Sequence, residues 1–123
     1  MERTLILVVE DDPQVARLIS LVLQRHGHES LVVADGNSAL ARAKEARPAM
    51  IIADLTIRGM GGEQLCSTLK ATPETRDIPY VILSGDLDLA EKARVCGADD
   101  YMGKPFEFAD LIRLVDKYAR AQG

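Results

Sequence analysis

The segment Leu5-Ile-Leu-Val-Val-Glu-Asp-Asp-Pro13 contains the end of one secondary-structure element and the start of the next. Its five consecutive apolar residues are typical of a strand covered on both faces, as in a parallel sheet. Asp12 is a suitable helix N-cap, and Pro13 is a residue type favoured at the first helical position. Apolar residues then recur at helical spacing as far as Gly27, a residue type that commonly ends helices. The segment therefore predicts a strand, a short acidic loop and a helix.

The same pattern is repeated four more times along the chain. The later strands are predicted at residues 31–34, 50–53, 80–83 and 100–102, and the later helices at about residues 38–46, from about residue 62, at about residues 89–96 and after residue 105. Parallel neighbouring strands require right-handed helical crossovers. Five such units predict an α/β fold of the doubly wound (βα)5 type, with helices on both faces of a five-stranded parallel sheet. The flavodoxin-like strand order 2-1-3-4-5 fits five units.

Composition restricts the class of protein. The chain has 123 residues, of which 47% are hydrophobic and 28% charged, so it can form one domain with its own core. A formal net charge of -4 without a basic run argues against direct binding to nucleic acid or to an anionic membrane. No apolar run approaches the roughly 18 residues of a membrane span, and no signal-peptide pattern precedes the first strand. We expect a single cytoplasmic domain over residues 1–123, without an output domain.

The cysteines and histidines do not form a recognisable metal motif. Cys66 and Cys96 are the two cysteines of the sequence and lie outside any metal-binding spacing, so we predict that both are small hydrophobic residues on helices. His26 and His28 flank Gly27 without a carboxylate or thiol at ligand spacing. We interpret these two histidines as solvated turn residues.

Polar side chains follow four of the five predicted strands. Glu10 and Asp11 follow the first strand, Asp54 the third, Ser84 the fourth and Lys104 the fifth. In this fold the ligand site lies at the carboxyl ends of the strands, where the strand order reverses. Three of these four strand ends have a structural alternative: the acidic pair as solvated residues beside the helix cap, the serine as a turn hydroxyl, the lysine as a surface residue. Asp54 fits such an alternative less well, because an aspartate that directly ends a buried strand must find a partner or stay near water. Their joint placement favours a functional site.

Three carboxylates at one edge repel one another and suit Mg²⁺, which takes one or two carboxylates directly and keeps several waters. The first strand is not followed by a glycine-rich phosphate loop, which argues against a Rossmann or Walker nucleotide site. An aspartate beside a divalent ion and a lysine can act as a nucleophile toward phosphorus. We therefore predict that Asp54 forms an aspartyl phosphate, that Lys104 and the metal neutralise phosphoryl charge, and that Ser84 donates a hydrogen bond.

The sequence resembles the receiver domains of two-component response regulators over essentially its whole length. The motifs that carry the resemblance are Leu7-Val-Val-Glu-Asp-Asp-Pro13, Asp54 at a strand end followed by Gly62, Ser84-Gly85, and Ala98-Asp-Asp-Tyr-Met-Gly-Lys-Pro-Phe106. Together they are highly specific.

The resemblance implies a metal site and a phosphoacceptor. It implies that Asp54 accepts the phosphoryl group and that Glu10 and Asp11 form the acidic pair, with Asp11 the direct Mg²⁺ ligand. It also implies that the backbone carbonyl of Thr56 coordinates the ion and that the side chains two positions beyond Asp54 and Ser84 govern the attacking water.

The resemblance also implies a switch. Ser84 is the switch hydroxyl, Tyr101 the switch aromatic residue and Lys104 the phosphate-contacting base, followed by a proline able to adopt the cis form. The chain departs from the family pattern by Arg58 in place of a proline and by a short segment between Ser84 and Lys104. Three glycines after Arg58 predict a loose loop after the third strand.

The leading hypothesis is a signalling switch that takes a phosphoryl group from a histidine kinase or a histidine phosphotransfer protein and then controls the binding of an unknown protein target. We expect no enzymatic activity other than catalysis of its own phosphorylation and dephosphorylation. We expect the protein to be a monomer or a weak phosphorylation-dependent dimer. One alternative is a receiver-like scaffold that never carries phosphate. A third hypothesis, an α/β phosphatase or nucleotide enzyme, needs a general acid, for which Asp12 is the one candidate in the sequence.

Overall fold

The computed structural model describes residues 4–119, which form five βα units in series. The strands are β1 (Thr4–Val9), β2 (His28–Val33), β3 (Met50–Asp54), β4 (Tyr80–Ser84) and β5 (Asp100–Gly103). The helices are α1 (Pro13–Arg25), α2 (Gly36–Ala46), α3 (Gly62–Ala71), α4 (Leu89–Cys96) and α5 (Phe108–Tyr118). Neighbouring strands are parallel in the order β2-β1-β3-β4-β5, which confirms the predicted doubly wound fold.

The sheet separates two hydrophobic cores. Leu7 and Ile51 pack on the face covered by α2, α3 and α4, whereas Ile6 and Ile52 pack on the face covered by α1 and α5. Every residue of β3 and β4 is buried. Burial on both faces is the reason that these strands have continuous rather than alternating hydrophobicity. No helix within residues 4–119 is long and apolar enough to cross a membrane.

Capping residues set the starts of the first two helices. The Asp12 carboxylate accepts the Gln14 N–H at 2.9 Å and so caps α1, as predicted, while Gly27 adopts a φ of 85° just beyond the end of α1. Helix α2 begins before the predicted position, because the Asp35 carboxylate accepts the Ser38 N–H at 2.7 Å.

The prediction for His28 is wrong. β2 begins at His28, which pairs in register with Thr4, and only 4% of the His28 surface is exposed. Pairing of β2 along the full length of β1 makes this histidine the first residue of the edge strand rather than part of the turn. His26 is exposed as predicted, and its Nδ1 lies 3.1 Å from the Val22 carbonyl oxygen.

The two cysteines are buried on helices, as predicted. Cys66 lies on α3 and Cys96 at the end of α4, and both thiols are free. The Cys66 Sγ donates to the Cys96 carbonyl oxygen at 3.4 Å. Burial raises the pKa of the Cys66 thiol, so this thiol stays protonated.

The loop after β3 is closely packed, which corrects the expectation of a loose loop. The Arg58 carbonyl accepts the Gly36 N–H at 3.1 Å, so the loop is tied to the start of α2. A Cβ atom at Gly36 would lie 1.9 Å from the Met60 carbonyl oxygen, and one at Gly62 would lie 2.5 Å from the Asp54 carbonyl oxygen. Glycine permits both close approaches.

Candidate functional site

The ends of three strands bring Glu10, Asp54 and Lys104 into contact. β1 and β3 are neighbours with Val9 opposite Ala53, so the next residue of each strand lies at the same edge of the sheet. Lys104 follows β5 and reaches across β4. Its Nζ forms an ion pair with the Asp54 Oδ2 and lies 3.3 Å from the Glu10 Oε2. Two of the three predicted carboxylates, Glu10 and Asp54, thus form one cluster with the lysine. Asp11 makes no such contact, which corrects the expectation that three carboxylates converge.

Both carboxylates of this cluster are buried, but their hydrogen bonds shift their pKa values in opposite directions. Glu10 is only 3% exposed and Asp54 8% exposed. Burial, together with hydrogen bonding to Asp54 and its charge, raises the pKa of Glu10 to about 7. Burial alone would also raise the pKa of Asp54, but hydrogen bonds from Glu10, Lys104 and the Thr56 N–H lower it below its ordinary value. Asp54 therefore stays ionised near neutral pH, where Glu10 is only partly ionised.

Lys104 remains charged in this setting. Burial tends to lower the pKa of Lys104, but hydrogen bonds and charges from Asp54 and Glu10 raise it above its ordinary value. Thr56, which is exposed, donates its backbone N–H to the Asp54 Oδ1 at 2.9 Å. Each oxygen of Asp54 consequently has a donor of its own, and the carboxylate is held in one orientation.

Ser84 lies between the strands that carry Asp54 and Lys104. It ends β4, is 3% exposed, and its neighbour Leu83 is in register with Asp54. The Ser84 Oγ accepts the Asp86 N–H at 3.0 Å, and the Ser84 carbonyl accepts the Lys104 N–H at 2.9 Å. Because Oγ is an acceptor in this bond, its own O–H remains available to donate to a phosphoryl oxygen.

Two predicted residues lie outside this contact cluster. Asp11 follows Glu10 in the chain and is half-buried at the same edge. Tyr101 lies on β5 with 45% of its surface exposed, and its backbone N–H donates to the Asp100 Oδ1 at 2.8 Å. The peptide bond between Lys104 and its proline is cis, the isomer that the resemblance allows.

The donor set fits a hard divalent cation. No three His, Cys, Asp or Glu side chains among residues 4–119 converge as a metal-binding group. Mg²⁺ requires fewer, since it takes one or two carboxylates with carbonyl oxygens and waters. The Glu10 and Asp54 carboxylates, which both contact Lys104, supply oxygens of this kind.

One contact beside the site was not predicted from the sequence. The Lys92 Nζ on α4 lies 2.8 Å from the Asp86 Oδ2, in the loop between β4 and α4. These residues are six positions apart and the first lies outside the helix, so no helical spacing indicates the contact. Only the path of the loop brings the two side chains together.

Comparisons with known proteins agree with this geometry. The sequence matches the response regulator receiver domain family over residues 6–116. It is 36% identical over 115 residues to the DNA-binding response regulator MtrA of Mycolicibacterium smegmatis, covering 92% of this chain and 49% of that protein. It is 37% identical over 108 residues to the heme response regulator HssR of Staphylococcus aureus, covering 86% of this chain and 47% of that protein. The chain thus spans about half the length of these curated relatives.

Solved structures give the same result. A response regulator from Chloroflexus aurantiacus superposes with a TM-score of 0.92 at 31% identity, covering 97% of this chain and 99% of that one. The receiver domain of the sensor histidine kinase PA1611 from Pseudomonas aeruginosa, which has a magnesium ion coordinated in its active-site cleft, superposes with a TM-score of 0.90 at 27% identity, covering 97% and 99%. The chemotaxis response regulator CheY4 of Vibrio cholerae gives 0.88 at 25% identity, covering 95% and 99%.

Proposed function

Because the chain belongs to the response regulator receiver domain family, we propose that it is a signalling switch whose Asp54 accepts a phosphoryl group from a histidine kinase or a histidine phosphotransfer protein. The state of the Asp54 carboxylate carries the proposal. It is buried at the end of β3, paired with Lys104, and its pKa lies below the ordinary value. An oriented and ionised carboxylate is a competent nucleophile toward phosphorus.

The chain's own residues account for the transfer step. One Asp54 oxygen forms a bond to phosphorus as the phosphorus–nitrogen bond of the donor phosphohistidine breaks, and the electron pair leaves with the imidazole, which takes its proton from solvent. Lys104 neutralises charge on the phosphoryl oxygens, and the free O–H of Ser84 donates to one of them. Both groups already lie at the strand ends beside the nucleophile.

Asp11, Asp54 and the Thr56 carbonyl would hold Mg²⁺, with Glu10 completing the acidic pair. When bound, the ion supplies positive charge that offsets the charge of the phosphoryl oxygens. We expect Mg²⁺ affinity to fall more in Asp11→Asn than in Glu10→Gln, because Asp11 is the proposed direct ligand and Glu10 already contacts Lys104. Mg²⁺ titration of the two variants and the wild type measures this, and equal losses would contradict the assignment.

Phosphorylation would act by shifting a two-state equilibrium. Lys104 exchanges its carboxylate partner for the phosphoryl group, Ser84 moves with it, and Tyr101 changes its exposure on β5. The output is then altered binding of a protein target by a cytoplasmic monomer or weak phosphorylation-dependent dimer. We assign the chain no enzymatic activity beyond its own phosphorylation and dephosphorylation. The DNA-binding activity in the name of MtrA belongs to that protein, and we propose no direct nucleic-acid contact for this acidic chain.

Incubation with acetyl phosphate and Mg²⁺, followed by intact mass, tests the proposal. The wild type should gain the mass of one HPO₃ unit, and Asp54→Asn should gain none. Asp77→Asn, which removes an exposed aspartate from the turn before β4, is the matched control and should behave as the wild type. Label retained in Asp54→Asn refutes the site. A wild type that takes no phosphate refutes the switch and favours the scaffold alternative.

A further inference from the structure

A second ion pair lies next to the site, in the loop between β4 and α4. The Lys92 Nζ lies 2.8 Å from the Asp86 Oδ2 and 3.6 Å from the Asp88 Oδ1. Asp86 also donates its backbone N–H to the Ser84 Oγ at 3.0 Å. One residue, Asp86, therefore contacts both the lysine of α4 and the buried hydroxyl of the site.

We propose that Lys92 is a positioning residue for phosphorylation of Asp54. It holds Asp86, and Asp86 in turn holds the Ser84 hydroxyl in the orientation that leaves its O–H free for a phosphoryl oxygen. The inference rests on the proposed function, since it concerns the same reaction. It adds a residue of α4 that contacts neither the nucleophile nor the phosphoryl group.

The loop needs an external attachment because its own residues supply little. Its four residues, 85–88, are all exposed, and the Leu87 side chain is fully in solvent. Asp88, at the N-cap position of α4, makes no side-chain hydrogen bond to the start of that helix. Loop residues with few contacts retain conformational freedom. The ion pair with Lys92 reduces that freedom at Asp86, the residue in contact with Ser84.

The electrostatic surroundings of Lys92 agree with this role. Hydrogen bonding to Asp86 raises the pKa of Lys92, with smaller contributions from the charges of Asp88 and Glu63. Asp86 is the hydrogen-bonded member of this acidic group, whereas Asp88 is more distant. The Asp86 and Lys92 side chains are 42% and 31% exposed, so the pair is partly screened by solvent. An effect of about two- to fivefold on rate is therefore expected, and it should decrease at high salt.

The test compares initial rates of phosphorylation by acetyl phosphate in Mg²⁺ for the wild type, Lys92→Met and Asp86→Asn. Both variants break the pair, so both should slow phosphorylation about two- to fivefold. Lys92→Arg, which keeps a cation able to bind Asp86, should restore most of the rate. Asp88→Asn removes the same charge from the neighbouring acid and should have little effect. Thermal unfolding monitored by circular dichroism checks that each variant is folded.

A cycle with Ser84→Ala separates positioning from simple charge effects. If Lys92 acts through the hydroxyl, Lys92→Met slows the wild type but causes no further loss in the Ser84→Ala background. Simple attraction of the anionic donor predicts instead that Lys92→Met slows and Asp86→Asn speeds the reaction, and this result overturns the inference. The inference is also overturned, with the proposed function intact, if Lys92→Met lowers the rate equally in the wild-type and Ser84→Ala backgrounds. The same holds if the wild type is phosphorylated and Lys92→Met does not lower its rate. A wild type that accepts no phosphate overturns it together with the proposed function.

Discussion

Replacing Glu10 with glutamine should stabilise the metal-free protein at pH 8 and have much less effect at pH 5. Burial raises the pKa of Glu10 from 4.5 to about 7, so the folded state binds this proton more tightly than the unfolded chain does. This tighter proton binding by Glu10 stabilises the folded state fully below pH 4.5, and the stabilisation is lost as the pH rises through about 7. Glutamine does not ionise and avoids this loss.

The expected gain in stability of Glu10→Gln follows from the size of the pKa shift of Glu10. A change from 4.5 to about 7 corresponds to about 3.5 kcal/mol at most, at about 1.4 kcal/mol per pKa unit. Glu10 is 3% exposed, so solvent screens it little. The lowered pKa of Asp54 makes a contribution of the opposite sign, which is lost as the pH falls and so lies mainly below this window. We expect the advantage of Glu10→Gln to grow by about 1 to 3 kcal/mol between pH 5 and pH 8.

Urea unfolding in EDTA at four pH values between 5 and 8 measures the difference in unfolding free energy between Glu10→Gln and the wild type. Glu45→Gln, which removes an exposed carboxylate from α2, is the matched control. The reasoning is refuted if the difference is independent of pH or decreases as the pH rises. Either result would mean that Lys104 fully compensates an ionised Glu10.

Three further predictions concern the same edge of the sheet. Lys104→Ala should retain Mg²⁺ binding but lose most acetyl phosphate labelling by intact mass, because an ammonium contacts phosphate rather than a cation; loss of metal affinity would contradict this. Asp54→Asn should lower the unfolding free energy in EDTA by on the order of 1 kcal/mol, because its ionised carboxylate pairs with Lys104; carboxylate repulsion alone predicts the opposite sign. Gly36→Ala should lower the unfolding free energy in urea melts by about 1 to 3 kcal/mol, because its Cβ would lie 1.9 Å from the Met60 carbonyl oxygen. Gly85→Ala is the control and should change stability little, because the nearest atom to its Cβ would lie 3.7 Å away.

The sequence alone determined the fold and the position of the site. Each βα unit is encoded locally by an apolar run and a stretch of helical periodicity, and the first unit adds a polar strand end and a helix cap, in the segment that ends at Pro13. Parallel strands place their carboxyl ends at one edge, so the order of apolar runs and polar strand ends is enough to bring Glu10, Asp54, Ser84 and Lys104 to that edge. Local patterns of this kind depend on neighbouring residues in the chain, which the sequence contains directly.

Tertiary structure decided which side chains touch and what charge they carry. Lys104 lies 50 residues from Asp54 and 94 from Glu10, and their contact depends on the register of strands that are distant in sequence. The raised pKa of Glu10 and the burial of His28 likewise follow from packing against non-neighbouring segments. The hydrogen bond that Lys92 donates to the Asp86 carboxylate depends on the path of one loop. Desolvation and pairing are properties of the assembled environment, so they become defined only once the strands and helices are packed.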